Sequence, residues 1–186
     1  YGYPFPPIRT RLEQLEEALQ IFRLMWTEEQ ATFHGRHYRV EQAWCNPKPV
    51  QKPWPPVMIG GGGEKVLLRL VAQYADRWNF GGSPAEFRAK MPILEAHCRA
   101  VGRDFGALEN SWFGNVVVEE TEEKLERRLA KRGAKADLIP GIVGTPATVA
   151  ARLREYVAAG VTHFIAMFGR VERLDATELF ALPMAA

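Results

Sequence analysis

Cysteine is scarce in this chain, which has Cys45 and Cys98 among its 186 residues. The two form no Cys-x-x-Cys pair and are too few for a disulfide framework, so a reducing compartment is the simplest setting. No apolar run reaches the roughly 18 residues that a membrane-spanning helix needs, and no charged and then apolar leader opens the sequence. These absences favour a cytoplasmic protein without a membrane partner.

An excess of either charge is also missing. The 24 Lys and Arg residues nearly balance the 22 Asp and Glu residues, and the net charge of +2 is spread along the chain. This pattern gives no indication of a nucleic-acid partner. The composition, 47% hydrophobic and 25% charged, is typical of a globular protein, and the length predicts a single domain over residues 1–186. The chain has no initiator Met and opens like the inside of a loop, so we expect the start of the protein to be missing.

Glycine, in contrast, is concentrated in one stretch. Gly60, Gly61, Gly62 and Gly63 join an apolar run after Pro56, which predicts a buried strand, to an apolar run after Glu64, which predicts a helix through Ala75. Glycine lets the backbone approach a ligand closely, and the free N–H groups that open a helix favour an anion. The stretch therefore predicts either a phosphate-binding loop or a plain strand-to-helix turn. It matches neither the P-loop nor the dinucleotide-binding pattern.

The first third of the chain predicts a helix and a hairpin. Thr10 and Glu13 form a capping box, and apolar residues at spacings of three and four predict a helix over residues 11–27. Residues 31–40 predict a small inserted hairpin with a two-residue turn at Gly35-Arg36.

Two histidines of this hairpin, His34 and His37, suggest a metal pair at first sight. They lie on either side of the turn with no Cys or carboxylate at ligand spacing, so we predict no metal site. The Pro-rich residues 45–56 that follow are expected to run extended over the surface.

The glycine pattern then recurs. Residues 76–80 predict a second strand, followed by Gly81, Gly82 and Ser83. Ser83 as N-cap, Pro84 and Glu86 form a capping box that predicts a helix ending at Gly102, with a kink at Pro92.

The rest of the chain continues the alternation of strands and helices. The predicted elements are a strand at 111–118, a helix capped by Thr121 and running to Arg132, a loop at 133–144, a helix opened by Thr145-Pro146 with Val149, Leu153, Tyr156 and Val157 on one side, a strand at 162–168, and a short helix capped by Asp175 and Glu178.

About four alternations of strand and helix imply an α/β fold with a parallel sheet covered by helices. Four such βα units after an opening helix match the C-terminal half of a (β/α)₈ TIM barrel, and a doubly wound open sheet is the alternative. In both folds the carboxyl ends of the strands meet at one edge of the sheet, where sites form. The two glycine loops then lie together, and this convergence favours the phosphate site.

Several segments together resemble the luciferase-like monooxygenase superfamily, and more narrowly its branch of deazaflavin-dependent oxidoreductases, which use coenzyme F420. The segments cover most of the chain: residues 11–19 (RLEQLEEAL), 33–38 (FHGRHY), 46–51 (NPKPVQ), 59–63 (IGGGG), 74–79 (YADRWN), 144–150 (GTPATVA) and 159–164 (AGVTHF).

The resemblance implies a (β/α)₈ barrel that binds F420 or FMN at its C-terminal mouth. The residues that would hold the coenzyme phosphate are Gly60, Gly61, Gly62, Gly63, the amide of Glu64, Gly81, Gly82 and Ser83. The first four strands, which carry most ring and substrate contacts in relatives, are absent, so no catalytic residue is assigned. We interpret His163 as a packed or rim histidine rather than a proton donor, and Trp78 and Trp112 as core residues rather than walls of a ring pocket.

The function implied by the resemblance is hydride transfer between bound F420 and a small organic substrate. The alternatives are an FMN-dependent two-component monooxygenase and a truncated, non-catalytic half-barrel that binds phosphate or flavin. A half-barrel leaves two sheet edges open, so the last hypothesis predicts a homodimer that closes the barrel, or poor solubility. The chain by itself is expected to be inactive.

Overall fold

The computed structural model describes residues 1–131, 133, 135 and 140–168. Its helices are α1 (Ile8–Thr27), α2 (Leu67–Tyr74), α3 (Pro84–Ala100), α4 (Glu122–Lys131) and α5 (Pro146–Ala158). Its strands are β1 (Gln30–His34), β2 (Arg39–Trp44), β3 (Met58–Gly60), β4 (Arg77–Phe80), β5 (Glu109–Val118), β6 (Gly141–Gly144) and β7 (His163–Met167), and a 3₁₀ turn, Phe105–Ala107, precedes β5. The helix predicted at Asp175 and Glu178 lies outside the described residues.

One parallel sheet is built around the long strand β5. On one side β5 pairs with β4, which in turn pairs with β3. On this same side, beyond the end of β4, residues 115–118 of β5 pair with β6, and on the opposite side residues 111–115 pair with β7. This arrangement confirms the predicted α/β class and the parallel βα units. Within the described residues β3 pairs only with β4 and β7 only with β5, so the sheet is open and this chain does not close a barrel.

Strand β6 corrects the prediction of a loop over residues 133–144. Gly141–Gly144 pairs with the end of β5, and Ile142 is buried there. Gly141 has φ +136°, and a Cβ at this position would lie 2.1 Å from the carbonyl oxygen of Asn115. The strand was missed because two apolar residues between glycines are too short a run to show a period of two.

Helix α1 begins one turn earlier than predicted. Its N-cap is Pro7, without a side-chain hydrogen bond, and Thr10 lies within the first turn. The capping box at Thr10 and Glu13 is therefore wrong. Glu13 binds Arg9 (2.9 Å) and His37 (2.9 Å) through its carboxylate instead. The apolar Ile8 extends the helical period toward the N-terminus, which makes the earlier start favourable.

The inserted hairpin is confirmed, but its turn lies one residue later than predicted. Gly35 N–H donates to Tyr38 O (2.8 Å), which makes Arg36 and His37 the central residues. The carboxylate of Glu17 on α1 accepts the backbone N–H groups of these two residues and of Tyr38 at 2.7 to 2.9 Å. Burial acts to raise the pKa of Glu17, but these three amides outweigh it and lower the pKa below its usual value. The register of the turn is therefore set by a long-range contact with α1.

Aromatic side chains join the sheet to α3 and α5. Trp78 stacks on Phe80 with ring centroids 5.5 Å apart and packs against Phe87 at 5.3 Å. Trp112 packs against Tyr156 at 5.2 Å. Both tryptophans are fully buried in the core that the helices cover, as predicted. Helix α3 continues through Pro92.

No helix of the described part is long and apolar enough to cross a membrane.

One face of α5 differs from the prediction. Val149, Leu153 and Tyr156 are buried as expected, but Val157 is 58% exposed. Positions 149, 153 and 156 follow the spacing of three and four, whereas 157 is rotated about 100° from 156 and leaves the buried stripe.

This orientation of α5 is testable with two truncations on the same helix. Leu153→Ala should lower the free energy of unfolding by about 2 to 5 kcal/mol, because it opens a cavity in the core. Val157→Ala should change it by no more than about 0.5 kcal/mol. Urea unfolding of the full-length protein measures both. Equal losses for the two variants would show that the helix is rotated from the position described.

Candidate functional site

Two glycine loops lie side by side at the carboxyl edge of the sheet. The first glycine loop (residues 60–64) follows β3, and the second (residues 81–83) follows β4, in which Asn79 pairs with Gly60. The Phe80 ring lies between them: a Cβ at Gly62 would be 2.6 Å from its Cε2 atom, and a Cβ at Gly82 2.2 Å from its Cε1 atom. The predicted convergence of the loops is confirmed. Both positions require glycine to admit this ring, which the sequence did not reveal.

The first glycine loop is clamped at Gly61. Its N–H donates to Asn79 O (2.9 Å), and its carbonyl accepts the indole N–H of Trp78 (2.8 Å). Gly61 has φ +126°, a conformation that favours glycine. Further along, Gly63 O accepts the N–H of Leu68 (3.0 Å). The path of the loop is thus fixed by hydrogen bonds on both sides of its centre.

Three successive amides of this loop have no acceptor. The backbone N–H groups of Gly62, Gly63 and Glu64 make no hydrogen bond to any described residue. Helix α2 begins just beyond, and its N-cap residue Val66 provides no side-chain cap. Consecutive free amides next to a helix start form a concave site for an anion. The residues present therefore fit a phosphate group.

The second glycine loop differs because an internal carboxylate already caps its helix. Glu86 Oε2 accepts the backbone N–H of Ser83 (2.7 Å) and its hydroxyl (2.8 Å), and Ser83 Oγ accepts the N–H of Glu86 (3.3 Å). The predicted capping box is confirmed. These hydrogen bonds from Ser83 lower the pKa of Glu86 below its usual value. A phosphate at Ser83 would have to compete with the Glu86 carboxylate for the N–H and hydroxyl of Ser83. The first loop is therefore the better anion site of the two.

A cleft of about 400 Å³ opens beside the second loop. Gly81, Trp112, Arg152, Tyr156 and Met167 are among its lining residues. The buried indole N–H of Trp112 lies near the Tyr156 hydroxyl but makes no hydrogen bond of normal geometry among the described residues, and burial raises the pKa of the Tyr156 hydroxyl. Arg152 donates to Glu155 (2.5 Å). The cleft offers aromatic surface, hydrogen-bond donors and one guanidinium, which suits an organic ligand with polar groups.

A row of polar side chains crosses the sheet on the face opposite the helices. Asn79, Ser111 and His163 are successive Cα partners in β4, β5 and β7. Asn79 Nδ2 donates to Ser111 Oγ (3.0 Å), which lies 3.1 Å from His163 Nδ1. His163 is therefore tied into the sheet face, and its side chain is 37% exposed. The alternation of polar and apolar residues in β4 and β5 is the sequence signal for this row.

The two hairpin histidines each pair with a carboxylate. His34 Nε2 lies 2.7 Å from Glu41, and His37 Nε2 lies 2.9 Å from Glu13. No group of three or more His, Cys, Asp or Glu side chains in the described part of the chain could hold a metal ion.

Comparison with known proteins identifies related sequences. The family model described as "Luciferase-like monooxygenase" matches residues 1–141. An FMNH(2)-dependent dimethylsulfone monooxygenase of Pseudomonas putida is 30% identical over 73% of this chain and 37% of its own length. An F420-dependent glucose-6-phosphate dehydrogenase of Kineococcus radiotolerans is 28% identical over 88% of this chain and 57% of its own length. The chain thus spans about half the length of these curated relatives.

Solved structures share the fold at low sequence identity. An F420-dependent secondary alcohol dehydrogenase in complex with an F420-acetone adduct superposes with a TM-score of 0.80 at 17% identity, over 95% of this chain and 62% of that one. An EDTA monooxygenase from Chelativorans sp. BNC1 superposes with a TM-score of 0.79 at 17% identity, over 100% of this chain and 62% of that one. The βα units described above are therefore those of a known, longer α/β fold.

The capping box of the second loop is expected to make stability depend on pH. The pKa of Glu86 is lowered in the folded state, so the stabilisation is present above the ordinary glutamate pKa of about 4.3 and is lost as pH falls through the folded pKa. Urea unfolding should show Glu86→Gln less stable than the wild type near neutral pH, and the difference should shrink as pH falls below the ordinary glutamate pKa. A difference that stays constant with pH would contradict this role. Ser83→Ala should cost about 1 kcal/mol near neutral pH.

Proposed function

The chain belongs to the luciferase-like monooxygenase family, and from this premise we propose that its protein is an oxidoreductase that transfers a hydride between bound coenzyme F420 and a small organic substrate. One observation carries the proposal: the unpaired amides of Gly62, Gly63 and Glu64 at the carboxyl edge of a parallel sheet. Barrel enzymes bind their ligands at this edge. Three relatives or neighbours that the comparisons name use F420 or FMNH(2), which supports a phosphate-bearing coenzyme at this position.

The chain's own residues have a binding and orienting role in this proposal. The deazaflavin ring, when bound, supplies the carbon that accepts or donates the hydride. The first glycine loop holds the phosphate through its three amides, and the hydrogen bonds of Gly61 keep these amides in place. Because the loop is fixed before binding, little conformational entropy is lost when the phosphate is bound.

The adjacent cleft is the proposed place for the substrate. It lies beside the second loop and is lined in part by Trp112 and Tyr156, which are otherwise buried in the core. Arg152 at its margin offers a charged donor for a polar substrate group. No residue of this chain is assigned a proton-transfer step, since in the relatives a large part of the protein lies outside the matched half.

An FMN-dependent monooxygenase is the second candidate. It is favoured by the relative from Pseudomonas putida, whose name specifies FMNH(2) and which is 30% identical over 138 residues. The first glycine loop would hold the phosphate of FMN in the same way, so both candidates use the same site residues. They differ in the ring that is bound.

Coenzyme titration of the full-length protein distinguishes the two candidates. We expect quenching of F420 fluorescence on binding, with micromolar or tighter affinity, and weaker binding of FMN. Tight FMN binding without F420 binding would move the assignment to the monooxygenase. Binding of neither coenzyme would contradict both.

The first glycine loop is tested by Gly63→Val. A Cβ at Gly63 lies 3.4 Å from Leu67 Cβ, an ordinary contact, so the fold should persist. The added methyl groups stand beside the free amides and should weaken coenzyme binding by about tenfold or more, equivalent to about 1.4 kcal/mol. Gly106→Val, in the 3₁₀ turn before β5, is the matched control and should leave the affinity unchanged. An unaltered affinity in Gly63→Val would make the loop a simple turn.

A further inference from the structure

Lys90 extends from α3 to the first glycine loop. Its Nζ atom lies 2.8 Å from Glu64 Oε1, and its side chain is 15% exposed. The ammonium lies 5.5 Å from the centroid of the Phe80 ring, and Lys90 Cε would be 3.2 Å from a Cβ at Gly62. The stem of Lys90 is thus packed against the loop, and its charge is held beside the unpaired amides.

Helix α3 holds Glu64 at two points. Lys90 binds the carboxylate, and His97 Nε2 lies 2.8 Å from the Glu64 carbonyl oxygen. Residues 90 and 97 are seven apart, about two helical turns, so they lie on the same face of α3. Glu64 also provides the last of the three unpaired amides, so α3 fixes one end of the anion site.

The charge balance at this point decides whether an anion can bind. Glu64 carries a carboxylate as well as one of the three amides. A phosphate bound to these amides would be repelled by that carboxylate. Lys90 offsets this charge. It also contributes to the lowered pKa of Glu86, after the larger effect of the hydrogen bonds from Ser83. Lys90 therefore offsets negative charge in both loops.

We propose that Lys90 is a positioning residue for the coenzyme phosphate: its ion pair with Glu64 neutralises the carboxylate beside the amides of Gly62, Gly63 and Glu64 and so allows these amides to bind a phosphate. The inference rests on the proposed function, because it concerns the same loop. It adds a role for a residue on a different element, 26 positions away from its partner.

The test compares coenzymes with and without phosphate on the full-length protein. One pair of probes is FMN and riboflavin, which differ by the phosphate alone. The other is F420 and 8-hydroxy-5-deazariboflavin, which lacks the phosphate and the acidic group attached to it. The pair that the wild type binds is used. Lys90→Met should weaken binding of the phosphate-bearing member by about tenfold or more, while affinity for the phosphate-free member changes by less than about twofold. Arg88→Met removes the same charge from an exposed position of α3 and should change neither affinity.

A second variant separates charge balance from simple loss of structure. Adding Glu64→Gln to Lys90→Met removes the unbalanced carboxylate and should restore most of the lost affinity for the phosphate-bearing coenzyme. Two results would overturn the role of Lys90 and leave the phosphate site in place. One is no recovery of affinity in the double variant. The other is an unchanged ratio of affinities for the phosphate-bearing and phosphate-free members in Lys90→Met. A wild type that binds both members of each pair equally would overturn the phosphate site itself and this inference with it.

Discussion

The hydrogen bond from the buried indole of Trp78 to the carbonyl of Gly61 is the contact on which the candidate site depends. Together with the bond from Gly61 N–H to Asn79 O, it satisfies both backbone groups of the one residue at which the chain leaves β3. Once these groups are paired, the next three amides continue away from the sheet without a partner in the described part of the chain. The core packing of Trp78 against Phe80 and Phe87 therefore controls the geometry of the loop as well as the stability of the fold.

Local sequence signals predicted the elements whose causes are local. The capping box of Ser83 and Glu86, separated by three residues, specified where α3 begins, and the alternation of strands and helices specified a parallel sheet. Where a distant contact decided the outcome, the predictions failed. The hairpin turn is placed by Glu17, about 20 residues away, and β6 forms because β5 extends beyond the end of β4 and offers residues 115–118 for pairing on that side.

The same limit explains why sequence patterns predicted two equivalent glycine loops. Both loops follow a strand and precede a helix, and both place glycines at the turn. A capping box at Ser83 and an anion site at Ser83 would use the same N–H groups. In the structure the Glu86 carboxylate accepts the N–H of Ser83, so this amide is not free for an anion. The ion pair of Lys90 with Glu64 spans 26 residues and has no local signature. Only the structure separates a capped loop from an open one.

The similarity of this chain to both F420-dependent and FMNH(2)-dependent proteins has a physical explanation in the proposed site. FMN and F420 share a ribityl phosphate and differ in the ring and in what is attached to the phosphate. Amides that bind only the phosphate cannot distinguish the two coenzymes, so such a site is compatible with the similar identities, 30% and 28%, to relatives of the two kinds. Discrimination has to come from groups that contact the ring. The phosphate site and the choice of coenzyme are therefore separable properties, and substitutions in the first glycine loop should alter affinity without altering preference.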